Sequence, residues 1–165
     1  MSGKSAAASP ISDEHRARLE SFLPQMYAQA AAEFPSECCG YVLGEGASAE
    51  LAQCVNRQDK LHALDPEAHP RTSANGYNIG GKDLLMLARS FESDTPATVI
   101  YHSHPRVGAY FSDEDTSAAI SAGYDVDYLV IDALEDRVAG AILFRRDGDR
   151  YVEIVRFGDP GGRRD

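Results

Sequence analysis

Residues 95–132 read TPATVIYHSHPRVGAYFSDEDTSAAISAGYDVDYLVID. The apolar run at 95–104 has the length and β-branched content of a buried strand, and it leads straight into His-Ser-His-Pro. From Ser112 an acidic first turn and an alanine-rich run predict a helix over 112–124, ended by Gly123. VDYLVID at 126–132 is again a strand. A strand, a polar loop, a helix and a second strand in one stretch make the chain α+β or mixed α/β, with helices packed on a central, mostly antiparallel sheet.

The remaining segments fit that frame. Downstream, VAGAILFRR at 138–146 and YVEIVRF at 151–157 are strands, and the turns ALEDR and DGD join the last three strands into a meander. Upstream, KDLLMLARSFE at 82–92 is an amphipathic helix. CGYVLG at 39–44 and a strand at roughly 48–55 form a hairpin around GEGAS. Leu19, Phe22, Leu23, Met26, Tyr27, Ala30 and Ala31 recur at helical spacing between Asp13 and Phe34, with Ser12 or Asp13 as cap. Pro24 implies a break or kink in that helix, and Pro35 stops it. Residues 57–75 show no periodicity and read as a long loop, a feature that in compact domains is commonly functional or mobile. The expected organisation is a single domain over 11–157, a disordered N-terminus at 1–10 and a flexible tail at 158–165.

The 165 residues carry a formal charge of −10. Such a surface repels phosphate backbones and anionic membranes, which disfavours nucleic acid and favours a protein, peptide or small-molecule partner. No apolar run is long enough for a membrane span and no apolar N-terminal run suggests secretion, so a cytoplasmic protein is expected. Cys38, Cys39 and Cys54 are odd in number, two of them adjacent, so a disulfide framework is not expected.

His102 and His104 are one residue apart on a strand and therefore project to the same face. Asp115, in the first turn of the next helix, would complete a set of two imidazoles and one carboxylate, which suits one catalytic Zn²⁺ with a fourth position for water. A plainer reading stands beside this one: Ser112-x-x-Asp115 also resembles a helix capping box, and His-x-His pairs arise by coincidence. Glu37, between a helix-ending proline and a buried strand, is the candidate general base, its pKa raised by burial. An exposed turn glutamate is the alternative. Cys38 and Cys39 read as small strand residues; the His-x-Glu and Cys-x-x-Cys patterns of nucleobase deaminases are absent.

Taken together, Glu37, His102, His104, Ser112 and Asp115 resemble the Glu … His-x-His-x(7)-Ser-x-x-Asp signature of the JAMM (MPN+, JAB-domain) zinc metalloproteases. Pro35, Glu37, Cys39 and Gly40 resemble the Pro-x-Glu-x-Cys-Gly segment of that family's short prokaryotic branch. The resemblance covers about residues 12–157. It implies a cytidine-deaminase-like architecture, a curved sheet flanked by helices, and hydrolysis of peptide or isopeptide bonds. It also implies roles: His102, His104 and Asp115 hold Zn²⁺, Glu37 activates water and passes the proton to the leaving amine, and Ser112 hydrogen-bonds the oxyanion.

The expected substrate is the C-terminal tail of a ubiquitin-like or sulfur-carrier protein, cut after its terminal glycine, with E1-like or E2-like proteins as pathway partners. Two alternatives remain: release of cysteine or another small adduct from a sulfur carrier, and a non-catalytic module that binds the modifier. Asn56 and Tyr77, flanking the 57–75 loop, are candidate substrate contacts on one wall of a groove. A relative of RadC-type proteins, which share His-x-His-Pro and Ser-x-x-Asp, fits less well because of the Pro-x-Glu-x-Cys-Gly match.

Overall fold

A computed structural model describes residues 11–164 of the chain; the N-terminal segment 1–10 lies outside the described residues. Helix α1 spans Asp13–Glu33, strand β1 Cys39–Leu43, β2 Glu50–Cys54, helix α2 Gln58–Leu64 and α3 Gly81–Ser90. Strand β3 follows at Ala97–Pro105, then α4 at Asp113–Ala122, β4 at Asp127–Ala133, β5 at Val138–Asp147 and β6 at Arg150–Gly158. The strands form one sheet in the order β2-β1-β3-β4-β5-β6. All neighbours are antiparallel except β3 and β4, which run parallel because the chain crosses between them through α4. The α+β expectation, helices flanking a mostly antiparallel sheet, holds.

Strand alternation divides the core into two layers. Val99, Tyr101, Leu129, Ile131 and Leu143 pack against Leu19, Phe22 and Met26 of α1. Ile100, Tyr41 and Tyr128 point the other way, toward Leu87 of α3 and Ala119 of α4. His102 and His104 share that second face, so the motif opens between the sheet and α3 and α4.

Three expectations are corrected. Helix α1 is not broken at Pro24. Pro24 cannot donate to the carbonyl of Glu20, but both residues are exposed, where water can serve that carbonyl. Leu19, Phe22, Leu23, Met26 and Ala30 bury on both sides of it, and at about 1.5–3 kcal/mol for each large side chain they outweigh the ~3 kcal/mol cost of an interior proline. Within the expected 57–75 loop lies α2, seven residues with no side-chain cap and a fully turned-out Leu64, which explains its weak periodicity.

The third correction concerns the flexible tail. Residues 158–164 lie against the loop after β3: the Ala109 amide donates to Gly161 O at 2.9 Å and the Arg164 amide to Val107 O at 2.7 Å. The Arg164 guanidinium clasps Asp132 at 2.7 and 2.8 Å. Asp132, near the end of β4, is wholly buried, so the tail's anchor is one charge matched to one buried charge rather than a hydrophobic pattern.

A further tie joins the two layers. Tyr101 lies across Gly40, its partner in the β1–β3 register, and its hydroxyl donates to Gln29 Oε1 on α1. The Gln29 amide in turn donates to Cys39 O at 2.9 Å. A methyl group at Gly40 would fall on the Tyr101 ring and the Ala52 carbonyl.

Candidate metal centre and its cleft

Antiparallel pairing of Cys39 with His102 sets Glu37 opposite His104 when the ladder is carried two residues further, and residues directly opposite share a face. Ser103, between the histidines, makes that extension rigid: Cys38 N donates to Ser103 Oγ at 2.8 Å and Ser103 N to Cys38 O at 3.1 Å. The polar residue of His-Ser-His thus faces away from the site and ties the Glu37 segment to β3.

His102 Nε2 and His104 Nε2 are 3.1 Å apart, and each approaches Asp115 Oδ2, at 3.3 and 3.2 Å. Ligand atoms on a tetrahedral ion with bonds of about 2.0–2.1 Å stand about 3.3 Å apart, so this triangle has the dimensions of one face of such a site. His104 Nδ1 lies 3.0 Å from Gly108 O; a carbonyl only accepts, so Nδ1 carries the proton and Nε2 presents its lone pair. His102 Nδ1 is buried and has no hydrogen-bond partner among the described residues. The donor set and its spacing fit Zn²⁺.

Asp115 is aimed by the helix start. Ser112 Oγ accepts from Asp115 N at 3.0 Å while Asp115 Oδ2 accepts from Ser112 N at 3.1 Å, a complete capping box. The same Oδ2 faces both imidazoles, so the cap and the ligand set are one arrangement rather than rivals. Burial opposes ionisation of Asp115, but His102 and His104 outweigh it and hold the carboxyl well below its ordinary value.

Beside the triangle is a cleft of about 620 Å³, lined by Glu37, Tyr77, His104, Tyr110, Ser112 and Asp115 among others. Glu37 is 5% exposed. Burial pushes its carboxyl up to about 7, against the pull of His102, His104 and Arg71, with Asp115 adding to the rise. Its backbone is fixed from the far side: Glu37 N donates to Ser73 O at 2.7 Å, and Asn56 Nδ2 donates to Glu37 O at 2.8 Å.

Asn56 is therefore not placed as expected. Its Nδ2 also donates to Gly76 O, and its Oδ1 accepts from the amides of Gln58 and Asn78, which uses the whole hydrogen-bonding capacity of the amide inside the protein. The residue is a strut beneath Glu37, off the cleft lining. Tyr77 does line the cleft, stacked on His102 with ring centroids 4.4 Å apart. Among the cleft residues outside the sequence reading are Tyr110, edge-on to His104 at 5.1 Å, and Arg71, which meets Glu114 at 3.0 Å. Both sit in irregular segments that carry no periodic signal. The three cysteines are free and buried, and burial lifts the thiols of Cys38 and Cys54 to about 12, which leaves them neutral and unreactive.

A two-histidine, one-carboxylate centre set beside a cleft on a mixed sheet defines a metal-binding α+β domain. The chain belongs to the prokaryotic homologs of the JAB domain, whose family model matches residues 19–154. Proteins with this domain are often hydrolases and typically zinc-dependent. Among solved structures, the chain is similar to the solution structure of protein DSY2949 from Desulfitobacterium hafniense, at 20% identity and a TM-score of 0.55, over 81% of this chain and 86% of that one. It also matches a protein from Salinibacter ruber at 17% identity and a TM-score of 0.49, over 81% and 84% of the two chains. At these identities the likeness to DSY2949 concerns the fold alone. No curated protein sequence matches the chain. No helix among the described residues is long and apolar enough to cross a membrane.

Proposed function

We propose that the protein is a zinc-dependent peptidase or isopeptidase that cuts after the C-terminal glycine of a ubiquitin-like or sulfur-carrier protein. The observation that carries this reading is the convergence of His102 Nε2, His104 Nε2 and Asp115 Oδ2 beside a cleft that Glu37 and Ser112 also line. Zinc held by these three ligands supplies the Lewis acidity that activates water and polarises the scissile carbonyl.

The chain's own groups supply the rest. Glu37, with a carboxyl poised near neutrality, takes a proton from the attacking water and hands it to the leaving amine. Ser112 Oγ accepts from the Asp115 amide, which leaves its proton free to donate to the developing oxyanion. The ring of Tyr77 over His102 and that of Tyr110 against His104 screen the histidines from bulk water. An extended tail would gain affinity through main-chain hydrogen bonds along the cleft.

Arg71 favours a second reading within the same chemistry, release of a single amino acid such as cysteine from a sulfur carrier. Among the described residues it is the one lysine or arginine on the cleft lining, and its charge reaches Glu37. A guanidinium there suits the free carboxylate of the residue that follows the cut. The deciding experiment incubates zinc-loaded protein with modifier fusions bearing one extra residue, as free acid or amide, or an isopeptide-linked lysine, and follows intact mass. Cleavage of all three supports the leading reading, and cleavage of the free acid alone supports the second. No cleavage by a protein that binds the modifiers identifies a binding module. Equal cleavage by Glu37→Ala would sink the hydrolytic mechanism.

A further inference from the structure

Asp132 faces the same side of the sheet as His104, its partner in the parallel β3–β4 register. A wholly buried carboxylate there requires partners, and among the described residues it has three: Arg164 Nη1 at 2.7 Å, Arg164 Nη2 at 2.8 Å and the Gly161 amide at 2.7 Å. All come from the segment after β6. That segment pairs with the loop joining β3 to α4 on both sides of Gly108, through Ala109 N to Gly161 O and Arg164 N to Val107 O. Gly108 itself has φ +92°, and a side chain on it would strike the Gly162 carbonyl, so loop and tail fit only because Gly108 carries none. The loop delivers the Gly108 carbonyl, which accepts from His104 Nδ1, and the Tyr110 ring, which lies edge-on to His104. Arg163 adds to the seal by lying over the ring of Tyr110, 5.3 Å from its centroid.

We propose that Asp132 and Arg164 are positioning residues for the metal centre: their ion pair straps the C-terminal segment over the 106–111 loop and so holds the Gly108 carbonyl that sets the His104 tautomer. Neither residue touches the cleft's reacting region. They act through Gly161, Val107 and Ala109 on Gly108, and through Gly108 on His104. The strap matters for His104 in particular, because among the described residues His102 Nδ1 has no hydrogen-bond partner; His102 is held by burial and by its stack with Tyr77, and His104 by the Gly108 carbonyl. Loss of a carbonyl that orients a ligating histidine commonly weakens metal binding by about 10–100-fold.

The inference rests on the reading of His102, His104 and Asp115 as zinc ligands but not on hydrolysis, so its test uses no substrate. Arg164→Gln, Arg164→Lys and Asp132→Asn are compared with the unaltered chain in two measurements. The first is zinc affinity by competition with a chromophoric chelator. The second is the His104 tautomer in metal-free protein, read from long-range ¹H–¹⁵N correlations of the imidazole. The expected result is a single Nδ1–H tautomer in the parent, mixed tautomers and a 10–100-fold weaker zinc affinity in Arg164→Gln, and partial recovery in Arg164→Lys. Arg164→Gln leaves the wholly buried Asp132 carboxylate without its counter-charge and can fail to fold, whereas Asp132→Asn leaves a guanidinium that is already partly exposed; where Arg164→Gln does not fold, the same outcomes are read on Asp132→Asn. Wild-type affinity and tautomer in Arg164→Gln would overturn the proposal, as would weaker affinity with the tautomer unchanged. A parent that binds no zinc but shows the tautomer change would instead remove the metal reading while leaving the strap intact.

Discussion

Glu37 holds a proton to a higher pH than an exposed glutamate would, because its carboxyl is buried. Between an ordinary value of 4.5 and about 7, the unfolded chain binds fewer protons than the native one, so stability falls as pH rises through that window. The loss is about 3 kcal/mol once pH exceeds 7. Denaturation of metal-free protein and of Glu37→Gln at pH 5 and pH 8 measures it as the difference between the two, because the shifted His15 and His102 contribute to both. The same variant, loaded with zinc, should lose at least ~10²-fold in turnover if Glu37 is the base. Ser112→Ala should cost ~10²–10³ in rate by removing the oxyanion donor, with ~1 kcal/mol of stability from the lost cap; Ser112→Thr keeps the cap, and recovery of rate separates the two effects. At this scale the sequence was informative wherever chemistry demands a residue type at a spacing: His102, His104 and Asp115 come together, and Glu37 and Ser112 flank the same cleft. It was uninformative for Asn56, since a sequence cannot show whether an amide faces a ligand or four backbone groups.

Helix α1 shows what burial does to an element that local rules would cut in two. Because Pro24 sits on the exposed face of an unbroken helix, Pro24→Ala should restore the bond to Glu20 and raise the thermal midpoint, by about 1–3 kcal/mol of stability after the entropy regained by the unfolded chain. Asn56→Ala belongs to this scale as well. It would free the amides of Gln58 and Asn78 together, and hydrogen exchange should quicken at both while the β3–β4 amides stay protected. Uniform exchange across the sheet would mean that Asn56 supports the whole domain rather than the Glu37 segment. The strands and α4 were legible because apolar runs and a capping box fix them. Helix α2 was not, since seven residues with no cap and an exposed Leu64 contribute too little periodicity.

For the molecule as a whole, the proposed ligands His102 and His104 on β3 and Asp115 on α4 mean that a bound ion would fasten the sheet to its covering helix. Zinc at 100 times its dissociation constant should add about 2.7 kcal/mol to stability, and a chelator should remove it; His104→Ala should melt alike with and without zinc. The architecture was readable from alternating helices and strands, whereas the docked tail was not, because nothing local distinguishes the buried Asp132 from any other strand-end acid and its partner lies far along the chain. Gly40 carries a different lesson. It stands in Pro-x-Glu-x-Cys-Gly close to Glu37 and invites a chemical reading, yet its role is to leave room for Tyr101 on the opposite side of the sheet. In a random-mutagenesis screen for inactive clones, changes at Gly40 would turn up with every ligand and the base intact: the ring would be evicted, Gln29 released and the strand that bears His102 displaced from behind.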